Sequence, residues 1–114
     1  MRALVLFSIV LVGVGCRKSE AAPSEEGRTL FATACARCHG VEGGGGLPLW
    51  DGGPSPRNFT DHAFQETHTD FDIQNTVVNG KGAVMPPFGS TFNDAQLSAL
   101  VSHVRSLDSE RKKK

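Results

Sequence analysis

The chain has no apolar run long enough to cross a bilayer, no convincing strand-like alternation, no internal repeat, and no excess of charge of either sign. Each absence removes a class of protein. Its most apolar stretch, residues 3–14, falls well short of the ~20 residues that a membrane-spanning helix needs. Without alternation of apolar and polar positions there is no case for a sheet, nor for the βαβ setting of a thioredoxin-like dithiol. Twelve Lys and Arg balance twelve Asp and Glu, and between residues 27 and 108 the ratio becomes five to eight. That acidic balance argues against nucleic acid as a ligand. With 114 residues, the chain has room for one modest domain.

The first sixteen residues carry one positive charge at Arg2, an apolar stretch, and Gly15-Cys16, the layout of a secretory signal. The cysteine after a small residue resembles a bacterial lipoprotein signal, cleaved ahead of Cys16, which then carries lipid. Gly13 departs from that pattern, in which Leu or a similar residue stands three positions before the cysteine. The alternative is an ordinary signal that leaves a soluble periplasmic protein. Residues 16–26 are small and charged and include Pro23, so they bury little and read as a tether. The expected organisation is a signal at 1–15, a tether at 16–26, a folded domain at 27–108 and a basic tail at 109–114, where cations favour a helix end and solvation. A folded part of roughly 80 residues is small enough to need a staple beyond its apolar core.

Three helices are expected. The first is capped by Ser24, opens with Glu25 and Glu26, runs to the region of Cys38 and stops at Gly40. The second is capped by Thr69, carries Ile73 and Val77 on one face, and ends at Gly80. The third is capped by Asn93 with Gln96 at the capping-box position and Phe92 and Leu97 as a hydrophobic staple. Its apolar stripe is Leu97, Leu100, Val101, Val104 and Leu107. Residues 41–61 read as a Gly- and Pro-rich loop, long enough in so small a domain to wrap something.

The decisive motif is Cys35-Ala36-Arg37-Cys38-His39, the C-x-x-C-H signature of covalent haem attachment. On a helix, Cys35, Cys38 and His39 stand at i, i+3 and i+4 and share one face. Two thiols can then bond the haem vinyl groups while the imidazole reaches iron. Two other uses of C-x-x-C are a redox dithiol and half of a zinc site. The zinc use wants a further soft ligand, and after signal cleavage only Cys16 would remain as a third cysteine.

Residues 27–31 (Gly-Arg-Thr-Leu-Phe), His39-Gly40, and Met85-Pro86-Pro87-Phe88 together resemble class I c-type cytochromes over nearly all of residues 27–107. The resemblance implies an all-α fold, a small cytochrome c fold of three to five helices wrapped around one covalent haem c, with its first and last helices crossing closely. Gly27, which costs up to about 1 kcal/mol near a helix start, makes sense at such a crossing. His103 stands where the family often has an aromatic ring, and is expected as a packed or half-exposed ring near the first helix.

The same resemblance implies iron ligation by His39 and Met85. Met85 lies 46 positions after His39, and Pro86 and Pro87 stiffen its loop. A lone methionine can equally fill a core. His62, His68 and His103 are the competing sixth ligands. Pro48 is expected to offer its carbonyl to the proximal imidazole N–H. Trp50 and Arg57, in the wrapping loop, are candidates for the haem propionates, against the plain alternatives of a packed indole and a solvated guanidinium. Phe31, Phe59, Phe64, Phe71, Phe88 and Phe92 are expected to form the haem pocket and core.

The function implied is single-electron transfer, with no small-molecule substrate, between redox proteins such as a quinol-oxidising complex and a terminal oxidase or reductase. The place implied is the periplasmic side of a bacterial membrane, held there by a lipid anchor. Two rivals need an open sixth position: a small peroxidase-like enzyme and a haem-based sensor.

Overall fold

The computed structural model describes residues 24–111. The signal, the body of the tether with Cys16, and residues 112–114 of the basic tail lie outside the described residues. The described chain is helical: α1 (Glu25–Ala34), α2 (Ala36–His39), α3 (His62–Thr67), α4 (Asp70–Asn79) and α5 (Asp94–Ser106). Its one strand-like feature among the described residues is an isolated antiparallel bridge between Lys81 and Met85. This is the small all-α fold expected, with five helices.

The expected caps form. The Ser24 hydroxyl accepts the Gly27 amide at 3.0 Å, so α1 begins at Glu25 and takes in the last two residues assigned to the tether. Thr69 and Asp72 make a reciprocal capping box on α4, and Asn93 and Gln96 make one on α5. The first helix, expected to run to the region of Cys38, is instead interrupted at Cys35, where φ widens to −116° with ψ still at −36°. The Cys35 carbonyl then accepts both the Cys38 and His39 amides, at 3.1 and 2.9 Å. A short helix thus starts afresh at the attachment motif. Sequence reading also missed α3, which is a turn and a half long and capped by the Asp61 carboxylate on the Ala63 amide.

Phe31, Phe64, Ile73, Leu100, Val101, Val104 and Leu107 form the core, with Leu30, Cys35, Ala36, Phe59 and Phe92 packed on its edge. Phe31 and Leu100 are the most deeply buried. They meet where α1 crosses α5. There Gly27 lies on the backbone of Ala99, so close that a Cβ would collide with the Ala99 carbonyl. This is the close crossing that the glycine suggested. His103 is buried with its ring 5.0 Å from that of Phe31, as expected of a packed ring at the first helix.

Phe71 departs from expectation: it is 74% exposed. At 100° per residue it stands about 200° around α4 from Ile73, the residue that reaches the core, so burying one turns the other outward. The start of the tail is also folded, since the Ser109 amide donates to the Thr60 carbonyl at 3.2 Å. Half-buried Arg105 joins α5 to the start of α4 through Asp70 at 2.7 Å, and to α3 through the Gln65 carbonyl at 2.7 Å.

Candidate functional site

Cys35, Cys38 and His39 come together on the single turn formed by Cys35 and α2. Cys35 is half-buried against the core, Cys38 is exposed, and neither is in a disulfide. Burial, with a smaller contribution from Cys38, pushes the Cys35 thiol up to about 11. A redox dithiol depends on a depressed thiol, and this environment does the opposite. Among the described residues no group of His, Cys, Asp and Glu is arranged to hold a metal ion by itself.

The turn is continued by a backbone path that returns beneath His39. The Gly45 amide donates to the His39 carbonyl at 2.8 Å, and the Phe59 amide donates to the Gly43 carbonyl at 2.7 Å. That second bond brings residues 57–59 alongside the imidazole. His39 Nδ1 lies 3.0 Å from the Arg57 carbonyl oxygen, and its ring stacks on Phe59 with centroids 4.6 Å apart and planes 24° off parallel. A carbonyl only accepts, so Nδ1 carries the proton and Nε2 presents its lone pair. The bond at Nδ1 fixes the tautomer and the stack on Phe59 fixes the orientation of the ring.

Pro48 does not hold this position. It is exposed, and the acceptor at Nδ1 is the carbonyl of Arg57. The glycine run turns the chain back before Pro48, and the next stretch projects outward as a turn in which the Leu49 amide meets the Pro54 carbonyl and the Gly53 amide meets that of Trp50. Trp50 sits on this turn, 54% exposed, with its indole over Gly53. The Arg57 side chain lies 5.3 Å from the Phe64 ring centroid, a cation–π contact.

Met85 is half-buried on a loop suspended from the end of α4. The Lys81 amide donates to the Met85 carbonyl at 2.9 Å, and the Phe88 and Gly89 amides donate to the carbonyls of Val77 and Val78. Gly80 makes this possible. Its φ of +68° ends α4, and a Cβ there would strike the backbone of Met85, Pro86 and Pro87. Phe88 and Phe92 stack at 5.7 Å beyond the loop.

The competing histidines are held elsewhere. His62 Nδ1 sits 3.0 Å from both carboxylate oxygens of Asp108. His68 Nδ1 lies 3.1 Å from the Phe64 carbonyl. His103 is packed in the core. Sequence reading missed Phe59 as the ring stacked on His39, and Gln65 and Asp108 as buried polar residues. The cap at Asp61 was the available signal, since it starts a helix that places Phe64 and Gln65 inward.

A family profile described as "cytochrome C oxidase, cbb3-type, subunit III" matches residues 22–104. The chain is 30% identical over 93 residues to the cbb3-type cytochrome c oxidase subunit FixP of Azorhizobium caulinodans, a match covering 82% of this chain and 30% of that protein. It is 32% identical over 88 residues to subunit CcoP of Cereibacter sphaeroides, covering 77% and 29%. The chain therefore spans about 30% of the length of these curated relatives. Among solved structures, the KustC0563 c-type cytochrome superposes with a TM-score of 0.63 at 31% identity, covering 72% of this chain and 96% of that one.

Proposed function

Because the chain belongs to the cytochrome c family described as cbb3-type oxidase subunit III, we propose that it is a one-electron carrier whose covalent haem c is ligated by His39 and Met85. When bound, the haem supplies a single ferric/ferrous couple. The residues of the attachment turn fit that group: two free thiols one helical turn apart, and an imidazole whose Nε2 is left as the donor. The observation that carries the reading is the bond from His39 Nδ1–H to the Arg57 carbonyl, which fixes that donor.

Met85 is the sixth ligand in this proposal. Its support is the stiff Pro86-Pro87 loop, bound to α4 and shaped by Gly80, together with the engagement of His62, His68 and His103 at other contacts. A thioether raises the potential, and a filled sixth position leaves no place for a substrate, so the proposal is a carrier and not an enzyme. Trp50 and Arg57 remain the side chains proposed to bond the propionates. Both are exposed on the segment that follows the motif.

The curated relatives are oxidase subunits, which supports a terminal oxidase as one partner. A quinol-oxidising complex is the proposed donor. No helix among the described residues is long and apolar enough to cross a membrane. A lipid on Cys16 is the proposed means of holding the protein on the periplasmic face. The test of the whole reading is a visible spectrum before and after acid–acetone extraction of the exported protein. Sharp low-spin c-type bands that stay with the polypeptide are expected, and haem passing into the organic phase would overturn it.

A further inference from the structure

Gln65 is a buried polar residue with its amide fully engaged. Its Nε2 donates to the Phe59 carbonyl at 2.7 Å and to the Val104 carbonyl of α5 at 3.0 Å. Its Oε1 accepts from Arg105 Nη1 at 3.0 Å. Two carbonyls on one side and a guanidinium on the other allow only one orientation of the carboxamide. Of these partners, Phe59 belongs to the segment that orients His39. Residues 57–60 place the Arg57 carbonyl at Nδ1 and lay the Phe59 ring on the imidazole.

We infer that Gln65 is a positioning residue for the iron ligand His39, tying the strap of residues 57–60 to α5 and thereby setting the hydrogen bond at Nδ1. The strap has other anchors, at the Phe59 amide and the Thr60 carbonyl, but both are backbone bonds to loop or tail. Gln65 alone among these contacts links it by a side chain to the interior of the long helix. A leucine would fill the same space more cheaply than a buried amide, which costs free energy unless every polar atom is satisfied. What the amide adds is a fixed distance between the strap and α5. A shorter or stronger Nδ1–H bond makes the imidazole more electron-donating and favours ferric iron, and a loosened one does the reverse.

The inference rests on His39 as an iron ligand, and the experiment separates the two. In the haem-loaded wild type, NMR should show the haem-shifted ring resonances of His39, and their absence overturns both readings. With them present, the His39 Nδ1–H and the Gln65 side-chain amide hydrogens, each measured against the exchange rate of its free group, should be protected to within tenfold of one another, as parts of one closed unit. A larger gap overturns the inference without any variant being needed. Gln65→Met, which keeps length and loses both donors, and Gln65→Glu, which keeps the Arg105 pairing, should each speed Nδ1–H exchange at least tenfold and raise the reduction potential. Val101→Ala, a core truncation on α5 without a bond to the strap, should lower stability and leave exchange and potential at wild-type values. If the Gln65 variants lose stability in the same way and keep wild-type exchange and potential, Gln65 is core filling only.

Discussion

His62 and Asp108 face each other with Nδ1 3.0 Å from both carboxylate oxygens, tying the first turn of α3 to the residue beyond the end of α5. The imidazole is half-exposed, Asp108 is almost wholly covered, and Glu66 at 3.4 Å and Glu110 add negative charge around the ring. The bond to Asp108 holds the His62 value above its ordinary 6.5, against the opposing effect of burial. Burial works to raise Asp108, and is outweighed by the Glu110 amide and by His62, with Arg111 assisting, so its carboxyl lies below 3.8.

The pH dependence of stability follows in sign. A raised imidazole contributes stability that is complete below 6.5 and lost as pH rises through the folded value, while a lowered carboxyl contributes above 3.8 and is lost as pH falls through its own. Urea midpoints should therefore be highest between those limits and decline above neutrality. Asp108→Asn should flatten that decline. Equal slopes for wild type and variant would remove the pair from the account.

Replacing Met85 with Ala should leave the haem attached, because Cys35, Cys38 and His39 are untouched. The proposed thioether ligand is lost, so the potential should fall markedly and the reduced protein should bind carbon monoxide. Spectroelectrochemistry and a carbon monoxide titration check this. A variant that keeps the wild-type potential and far-red ligand band would make Met85 core filler and return attention to His62, His68 and His103.

Gly27→Ala should be costly although alanine is the better helix former. The added methyl meets the backbone of Ala99, which cannot rotate away, so α1 and α5 must separate. Overpacking of this kind costs about 1–3 kcal/mol. In a domain of this size each kcal/mol lowers Tm by about 4–8 °C, measurable by calorimetry of the haem-loaded protein.

Cys16 lies outside the described residues, and its proposed role is tested by fractionation. Wild type should sediment with membranes and carry a lipid-modified Cys16, while Cys16→Ser should lack the lipid. A wholly soluble native protein with a different first residue would favour the free periplasmic carrier, with electron transfer retained.

What was legible in the sequence was what depends on near neighbours. The caps at Ser24, Thr69 and Asn93 and the stop at Gly80 are signals within a few positions, and each appears in the structure. Gly27 was legible because a helical glycine asks for an explanation that only a close backbone supplies. The partner of His39 was not, since a carbonyl is the same on every residue: the choice of Arg57 over Pro48 is made by the bonds from Gly45 to His39 and from Phe59 to Gly43. The break at Cys35 was hidden by a sequence that suits a continuous helix. The burial of Gln65 depends on α5 and that of Asp108 on the meeting with His62 of α3, which no local pattern records.

The crossing of α1 and α5 also imposes an order of events. The surfaces that meet at Gly27 and Ala99 come from opposite ends of the described chain, so the contact closes only once nearly the whole chain is available. Closing a longer loop adds little to the equilibrium cost, about 0.6 kcal/mol per doubling, but such non-local pairings slow the approach to the native state. Until α5 arrives, Phe31 has no cover and the turn bearing Cys35 and Cys38 has no core behind it. Cys38 stays exposed in the folded chain, whereas the Cys35 thiol is most accessible while the chain is unfolded, and its burial comes with the last helix. Topology alone favours a sequence in which the attachment turn is modified first and the hydrophobic core shuts afterwards.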